Sequence, residues 1–226
     1  MRSEIRRFLL ISSAAMAMSF SASADTLFQN TTGDLTNRFS PGLFEVGDQI
    51  HLTHVGFITN FSFEFYGLSS GLTFAGPVEA QVKIYLMDGP LFNGENSPGT
   101  LLYTSGFSAI PGPTERSTFI YTAGADFPAQ GLLISSTNIT WSLQFRGMGT
   151  GDELGVDLYS PPTVGQDFPD YWRNTGVGLN PWVLETNAVA VDFAAQFQGT
   201  IPEPSVFALG VVGGLVMLVS GRKRKA

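Results

Sequence analysis

The chain of 226 residues carries 12 Lys and Arg against 19 Asp and Glu, two histidines and no cysteine. The missing cysteines exclude disulfides, thiolate zinc sites and cysteine nucleophiles. The acidic balance repels a phosphate backbone, so no nucleic-acid partner is expected.

Arg2, Arg6 and Arg7 precede an uncharged run from Phe8 to Phe20, which is the order of a basic n-region and an apolar h-region. Ala22-Ser23-Ala24 then places small residues, Ala22 and Ala24, where a signal peptidase must accommodate them, and cleavage is expected before Asp25. Residues 1–24 read as a signal peptide. Phe8 follows the arginine pair directly, which favours general secretion over the twin-arginine route.

Residues 25–201 hold five cations, Arg38, Lys83, Arg116, Arg146 and Arg173, against 17 acids, a net charge of −12. A segment of this size buries roughly 70% of its unfolded surface and needs no covalent staple. It reads as one all-β extracellular domain, a β-sandwich or jelly roll. Asp25 to Gln49 shows little periodicity and is expected to begin loosely held. Strands are then expected over Gln49 to Val55, Phe57 to Tyr66, Val82 to Leu86, Leu101 to Thr104, Ser117 to Thr122, Gly131 to Ser135, Trp141 to Phe145 and Val156 to Tyr159. Val189, Val191 and Phe193 form a last alternating set. Period-two alternation buries one face of each strand. Asp88-Gly89-Pro90, Ser97-Pro98-Gly99, Ile110 to Pro113 and Pro161-Pro162 supply the turns.

No catalytic constellation emerges, and no catalytic residue is assigned. Gly67-Leu68-Ser69-Ser70-Gly71 matches a nucleophile elbow in spelling, but no helical pattern or later histidine follows it. His51 and His54 sit three apart in a strand-like run and are expected on opposite faces. Asp152, Glu153, Asp157, Asp167 and Asp170 crowd one segment, which keeps open a glycan-cleaving enzyme using two of these carboxylates. Asp88 to Asn96 offers oxygen ligands for Ca²⁺ without the EF-hand spacing, so no metal or other cofactor is assigned beyond that one candidate ion. Tyr171, Trp172 and Trp182 lie in a stretch rich in Gly and Asn, which would suit stacking on sugar faces.

Ser205 to Gly221 is uncharged and ends on Arg222-Lys223-Arg224-Lys225. As a helix it would span roughly 25 Å, slightly less than a hydrocarbon core of ~30 Å. The basic stop would remain cytoplasmic, leaving residues 25–201 outside.

Pro202-Glu203-Pro204, the apolar stretch and the basic end, in that order, resemble the sorting tail of PEP-CTERM proteins, here residues 202–226. Ile84 to Pro90, Pro98 to Tyr103 and Tyr171 to Asn174 resemble segments of β-rich extracellular domains in such proteins. The resemblance implies processing by an exosortase in the inner membrane of a Gram-negative bacterium, after signal peptidase has acted. It further implies a cell-surface or matrix location, often alongside exopolysaccharide, and it carries over no catalytic residues. The expectation is a non-catalytic, sorted surface protein associating with exopolysaccharide. The alternatives are the glycan-cleaving enzyme and a permanently membrane-anchored protein.

Overall fold

A computed structural model of the chain describes residues 24–178, 180–186 and 190–201. The expected signal segment up to Ser23, with Ala22, and the tail from Pro202 with its basic stop lie outside these residues. Among the described residues no helix is long and apolar enough to cross a membrane.

The described chain is all-β. Its strands are β1 (Asp25–Asn30), β2 (Asp34–Phe39), β3 (Glu45–His51), β4 (Gly56–Leu68), β5 (Glu79–Leu86), β6 (Leu91–Phe92), β7 (Glu95–Asn96), β8 (Leu101–Thr104) and β9 (Ser108–Ala109). They continue with β10 (Thr114–Thr122), β11 (Leu132–Ile134), β12 (Asn138–Arg146), β13 (Glu153–Tyr159), β14 (Gln166–Asp167), β15 (Asp170–Asn174), β16 (Trp182–Thr186) and β17 (Ala195–Thr200). One sheet runs β1-β17-β4-β13-β2, with β10 and β11 also on β4. The second runs β16-β15-β3-β12-β5-β8, with β14 on β3 and β9 on β5.

The long strand β4 organises the first sheet. One of its edges pairs β17 over Phe57 to Phe63 and β13 over Phe65 to Leu68; the other pairs β11 and then β10. Along it Phe61, Phe63 and Phe65 point inward, and the intervening Ser62 and Glu64 point away. In the second sheet, β12 sends Ile139, Trp141, Leu143 and Phe145 to meet them, flanked by Val82 and Ile84 of β5 and by Val46 and Ile50 of β3. The Trp141 ring lies 5.2 Å from Phe61 and 5.6 Å from Phe63, which locks the two sheets face to face in a sandwich-like core. Each such ring contributes about 2–3 kcal/mol by leaving water.

Asp25 to Gln49 is not a loose beginning. It contains β1, β2 and the first part of β3, and β1 is an edge strand fixed to β17, with Asp25 opposite Gly199 and Asn30 opposite Ala195. A bulge between Thr26 and Phe28 puts neighbours Leu27 and Phe28 both into the interior, which erases the alternation a sequence reading depends on. β2 is an exposed edge with few apolar residues to alternate. The strand expected from Gln49 ends at His51, where Leu52 N–H turns to the Thr137 carbonyl. Val191 and Phe193 are buried as their alternation implied, and Val189 lies outside the described residues. The strand near that end is β17, which runs to Thr200.

Candidate functional site

The acids that crowd one stretch of sequence are dispersed by the fold. Asp152 accepts hydrogen bonds from the backbone N–H of Ala75, Gly76 and Gly149 at 2.9–3.0 Å, clamping two loops together. Those bonds, that of Ala75 first, hold its carboxyl below the usual range. Glu153 accepts the Tyr66 hydroxyl at 2.9 Å. Asp157 is buried beside two arginines, and Asp167 and Asp170 lie elsewhere, on β14 and β15.

Around Asp157, side chains from β2, β4, β10 and β13 form a charged network. Arg116 is bonded to Asp34, and its Nε stands 3.5 Å from Glu64 and 3.8 Å from Asp157; Arg38 Nε is 3.5 Å from the same Asp157. The guanidinium of Arg38 covers the Tyr66 ring and that of Arg116 the Tyr159 ring, while the Tyr159 hydroxyl donates to Glu64 at 2.8 Å. Burial raises the Asp157 pKa against the pull of both arginines. Asp34, Glu64 and Asp157 thus share two arginines, Arg38 and Arg116.

A second network covers the outer face of the other sheet, with Glu45 at its centre. This buried carboxylate accepts from Lys83 Nζ (2.8 Å), the Tyr85 hydroxyl (2.9 Å), the Ser142 hydroxyl (2.7 Å) and Asn174 Nδ2 (3.3 Å). Next to it Tyr85, Trp172 and Trp182 form a separate apolar cluster with Met87, Phe92 and Leu184. Trp172 donates its indole N–H to Gln49 at 3.1 Å, and the Phe92 ring meets it edge-on at 6.2 Å. Trp172 and Trp182 are 0% and 4% exposed, and Tyr171 packs on the opposite face of β15 against Phe39. The three aromatic residues singled out in the sequence are therefore not one open stacking platform. Neighbouring Phe44 is half exposed, with the Arg173 guanidinium over its ring and Arg173 Nε bonded to Glu185 at 2.8 Å.

No family model, no curated protein and no solved structure matches this chain.

The loop considered for Ca²⁺ is largely the hairpin β6–β7. Its turn residues Asn93 and Gly94 have φ of 52° and 94°, the two positive values a tight hairpin turn requires. Asp88 beside it is occupied by the Thr100 N–H (2.6 Å) and hydroxyl (2.7 Å). Ser69 lies in an exposed turn, bonded to the Thr73 carbonyl, with no helix after it. Only His51 belongs to β3. Its Nδ1 is 3.3 Å from Asn138 Oδ1, and His54 lies beyond the strand with Nε2 buried and unpartnered. Among the described residues no three His, Asp or Glu side chains by themselves form a metal-ligand group.

Sequence reasoning passed over a further acidic pocket. Asp48 (β3) and Asp192, just before β17, are buried, and their charges interact with each other and with Asp167 and Asp170. Asn30 of β1 joins them, donating to Asp167 Oδ2 at 3.2 Å and to the Tyr159 carbonyl at 2.7 Å. One signal was present in the sequence: Asp48 occupies the inward position between Val46 and Ile50, where an apolar residue belongs.

Proposed function

We propose that this chain is an exported surface or matrix protein, trimmed at both ends and non-catalytic. On this reading signal peptidase acts after Ala24 and an exosortase acts near Pro202-Glu203-Pro204, while the helix from Ser205 and the stop Arg222 to Lys225 hold the chain in the inner membrane transiently. The observation that carries it is the order of motif, apolar stretch and basic end behind a signal-peptide pattern. The β1–β17 pairing supports it. Asp25 faces Gly199 across one ladder, so both expected cuts fall beside one edge of the first sheet and remove no described strand.

Association with exopolysaccharide belongs to the same proposal. Phe44, Arg173 and Glu185 offer what a sugar ring needs: an apolar ring surface with hydrogen-bonding groups at its rim. Trp172 and Trp182 are buried on the other face of β15 and β16, under the hairpin, and take no part in that contact.

Intact mass spectrometry of the protein from membrane and extracellular fractions of its source tests the proposal. Loss of Met1 to Ala24 and a new C-terminus near Pro202 is the expected result. Retention of Ser205 to Ala226 in the membrane fraction alone would make the tail a permanent anchor and overturn the sorting reading. For the glycan contact, Phe44→Ala should weaken retention on the host's polysaccharide without changing the thermal midpoint. Unchanged retention removes Phe44 from the contact.

A further inference from the structure

Strand β10 has one edge inside its sheet and one outside it. Among the described residues it pairs β4 alone, without a break from Ser117 to Thr122. The Ala123 N–H bonds the Thr59 carbonyl at 2.8 Å across this ladder, so by antiparallel alternation Ser117, Phe119 and Tyr121 also turn their backbone groups to β4. Thr118, Ile120 and Thr122 turn theirs away. At Thr122 the outward groups are used, the N–H by Asp126 Oδ2 at 2.8 Å and the carbonyl by the Asp126 N–H at 2.9 Å. Those of Thr118 and Ile120 have no partner among the described residues.

A bare edge is a template for another strand, and folded proteins blunt it with a bulge, a proline, a charge or a covering loop. Two other edges of the same sheet are blunted in this way. Thr163 and Val164 cover β1 with N–H groups bonded to the Gln29 carbonyl, and β2 is bent at Thr36, whose φ is 56°. In β10 only the ends are closed, by a bulge between Thr114 and Ser117 and by the Asp126 turn. Ser117-Thr118-Phe119-Ile120-Tyr121-Thr122 between them carries no charge and no proline and is rich in β-branched and aromatic residues, within an acidic domain. Ile120 is 59% exposed on the outer face, and Phe119 is only partly buried at the rim of the core.

We propose that β10 pairs with β10 of a second copy of this chain, antiparallel and about a two-fold axis at Phe119, so that the first sheets of two molecules become one. A two-fold axis makes the contact self-complementary. Thr118 of one copy then faces Ile120 of the other, and each such pair exchanges the backbone bonds that are otherwise unmade. On the outer face Ile120 packs on Thr118 of the second copy, and on the inner face the two Phe119 rings meet and lose their remaining exposure. Charge sets both the direction and the partner. The antiparallel register places Arg116 opposite Thr122 of the second copy, whose N–H is held by the exposed Asp126, so a cationic end meets an anionic end twice. A parallel pairing would set Arg116 beside Arg116. The contact is independent of the sorting proposal, because it needs neither end of the chain.

Full-length protein in a mild detergent would be followed by sedimentation velocity over a concentration series. A monomer–dimer equilibrium is expected, and Ile120→Lys, at an exposed position, should weaken it by roughly tenfold or more while leaving the thermal midpoint unchanged. The chain has no cysteine, so an introduced one reports without background. A mixture of Thr118→Cys and Ile120→Cys proteins should oxidise to a mixed disulfide, because facing residues stand about 5.5 Å apart at Cα, within disulfide reach. Thr118→Cys mixed with Val177→Cys, exposed in the turn between β15 and β16, should not. A chain that sediments as a monomer throughout overturns the proposal. So does a dimer that Ile120→Lys leaves intact, which places the contact elsewhere, the tail included, and so does a dimer in which the mixed disulfide fails to form.

Discussion

At the scale of single residues, Glu45 and Gly155 show how much one position can carry. Glu45 gathers four donors, and truncating it would leave Lys83 and three polar groups facing an empty acceptor position. Glu45→Ala is expected to cost about 3–5 kcal/mol, measurable as a lower urea midpoint, whereas Glu45→Gln should retain part of the network. Gly155 lies where β13 passes β2. A Cβ there would stand 2.2 Å from the Phe39 carbonyl oxygen and 2.6 Å from the Tyr66 ring. Gly155→Ala should therefore destabilise by about 1–3 kcal/mol, although alanine suits a strand better than glycine does. Neither role was legible in the sequence. Glu45 stood in a segment that looked aperiodic, and the glycine's neighbour Phe39 approaches from more than a hundred residues away.

Among the elements, the hairpin β6–β7 was read from the sequence only as a loop, although its turn is built from an Asn-Gly pair that such a hairpin favours. Asn93-Gly94 supplies two positive-φ residues, and the turn brings Phe92 against Trp172. Replacing both by alanine places two ordinary residues in the left-handed region, at about 1–2 kcal/mol each. The hairpin should loosen, and Trp172 and Trp182 fluorescence should shift to the red while the core signal of Trp141 stays. A blue or unchanged spectrum would mean the hairpin is not what shields those rings. Elements of clear period two, β4, β5 and β12, were legible because each has one face in the core. β1 and β15 were hidden for opposite reasons. A bulge breaks the alternation in β1, and in β15 adjacent residues Tyr171 and Trp172 are both buried, one in the main core and one under the hairpin.

Across the whole molecule, pH acts through two populations of acids. Asp48, Asp167, Asp170 and Asp192 have pKa values raised by burial first, so the folded state holds protons that the unfolded state has released. Stability from this group is greatest near pH 4 and falls as pH rises toward about 7, where Asp167 titrates. Asp34, Asp88 and Asp152 are shifted the other way, chiefly by hydrogen bonds from Arg116, Thr100 and Ala75 respectively, so their contribution is present above about pH 4 and is lost in acid. The thermal midpoint should therefore peak between about pH 4 and 5 and decline toward 7.5. A midpoint that rises steadily over that range would show that the buried acids are compensated in the folded protein.

The sequence by itself determined the all-β class, the most regular strands, the absence of disulfides and the expected delivery signals, because composition and local periodicity are properties of neighbouring residues. Tertiary structure alone decided which carboxylates share an environment. Asp152 and Asp157 are close in the chain yet serve different networks, whereas Asn30, Asp48, Asp167 and Asp192 come together from distant segments. Burial and charge coupling depend on distance in space, and in a sandwich of antiparallel strands that distance is set by long-range pairing of the chain.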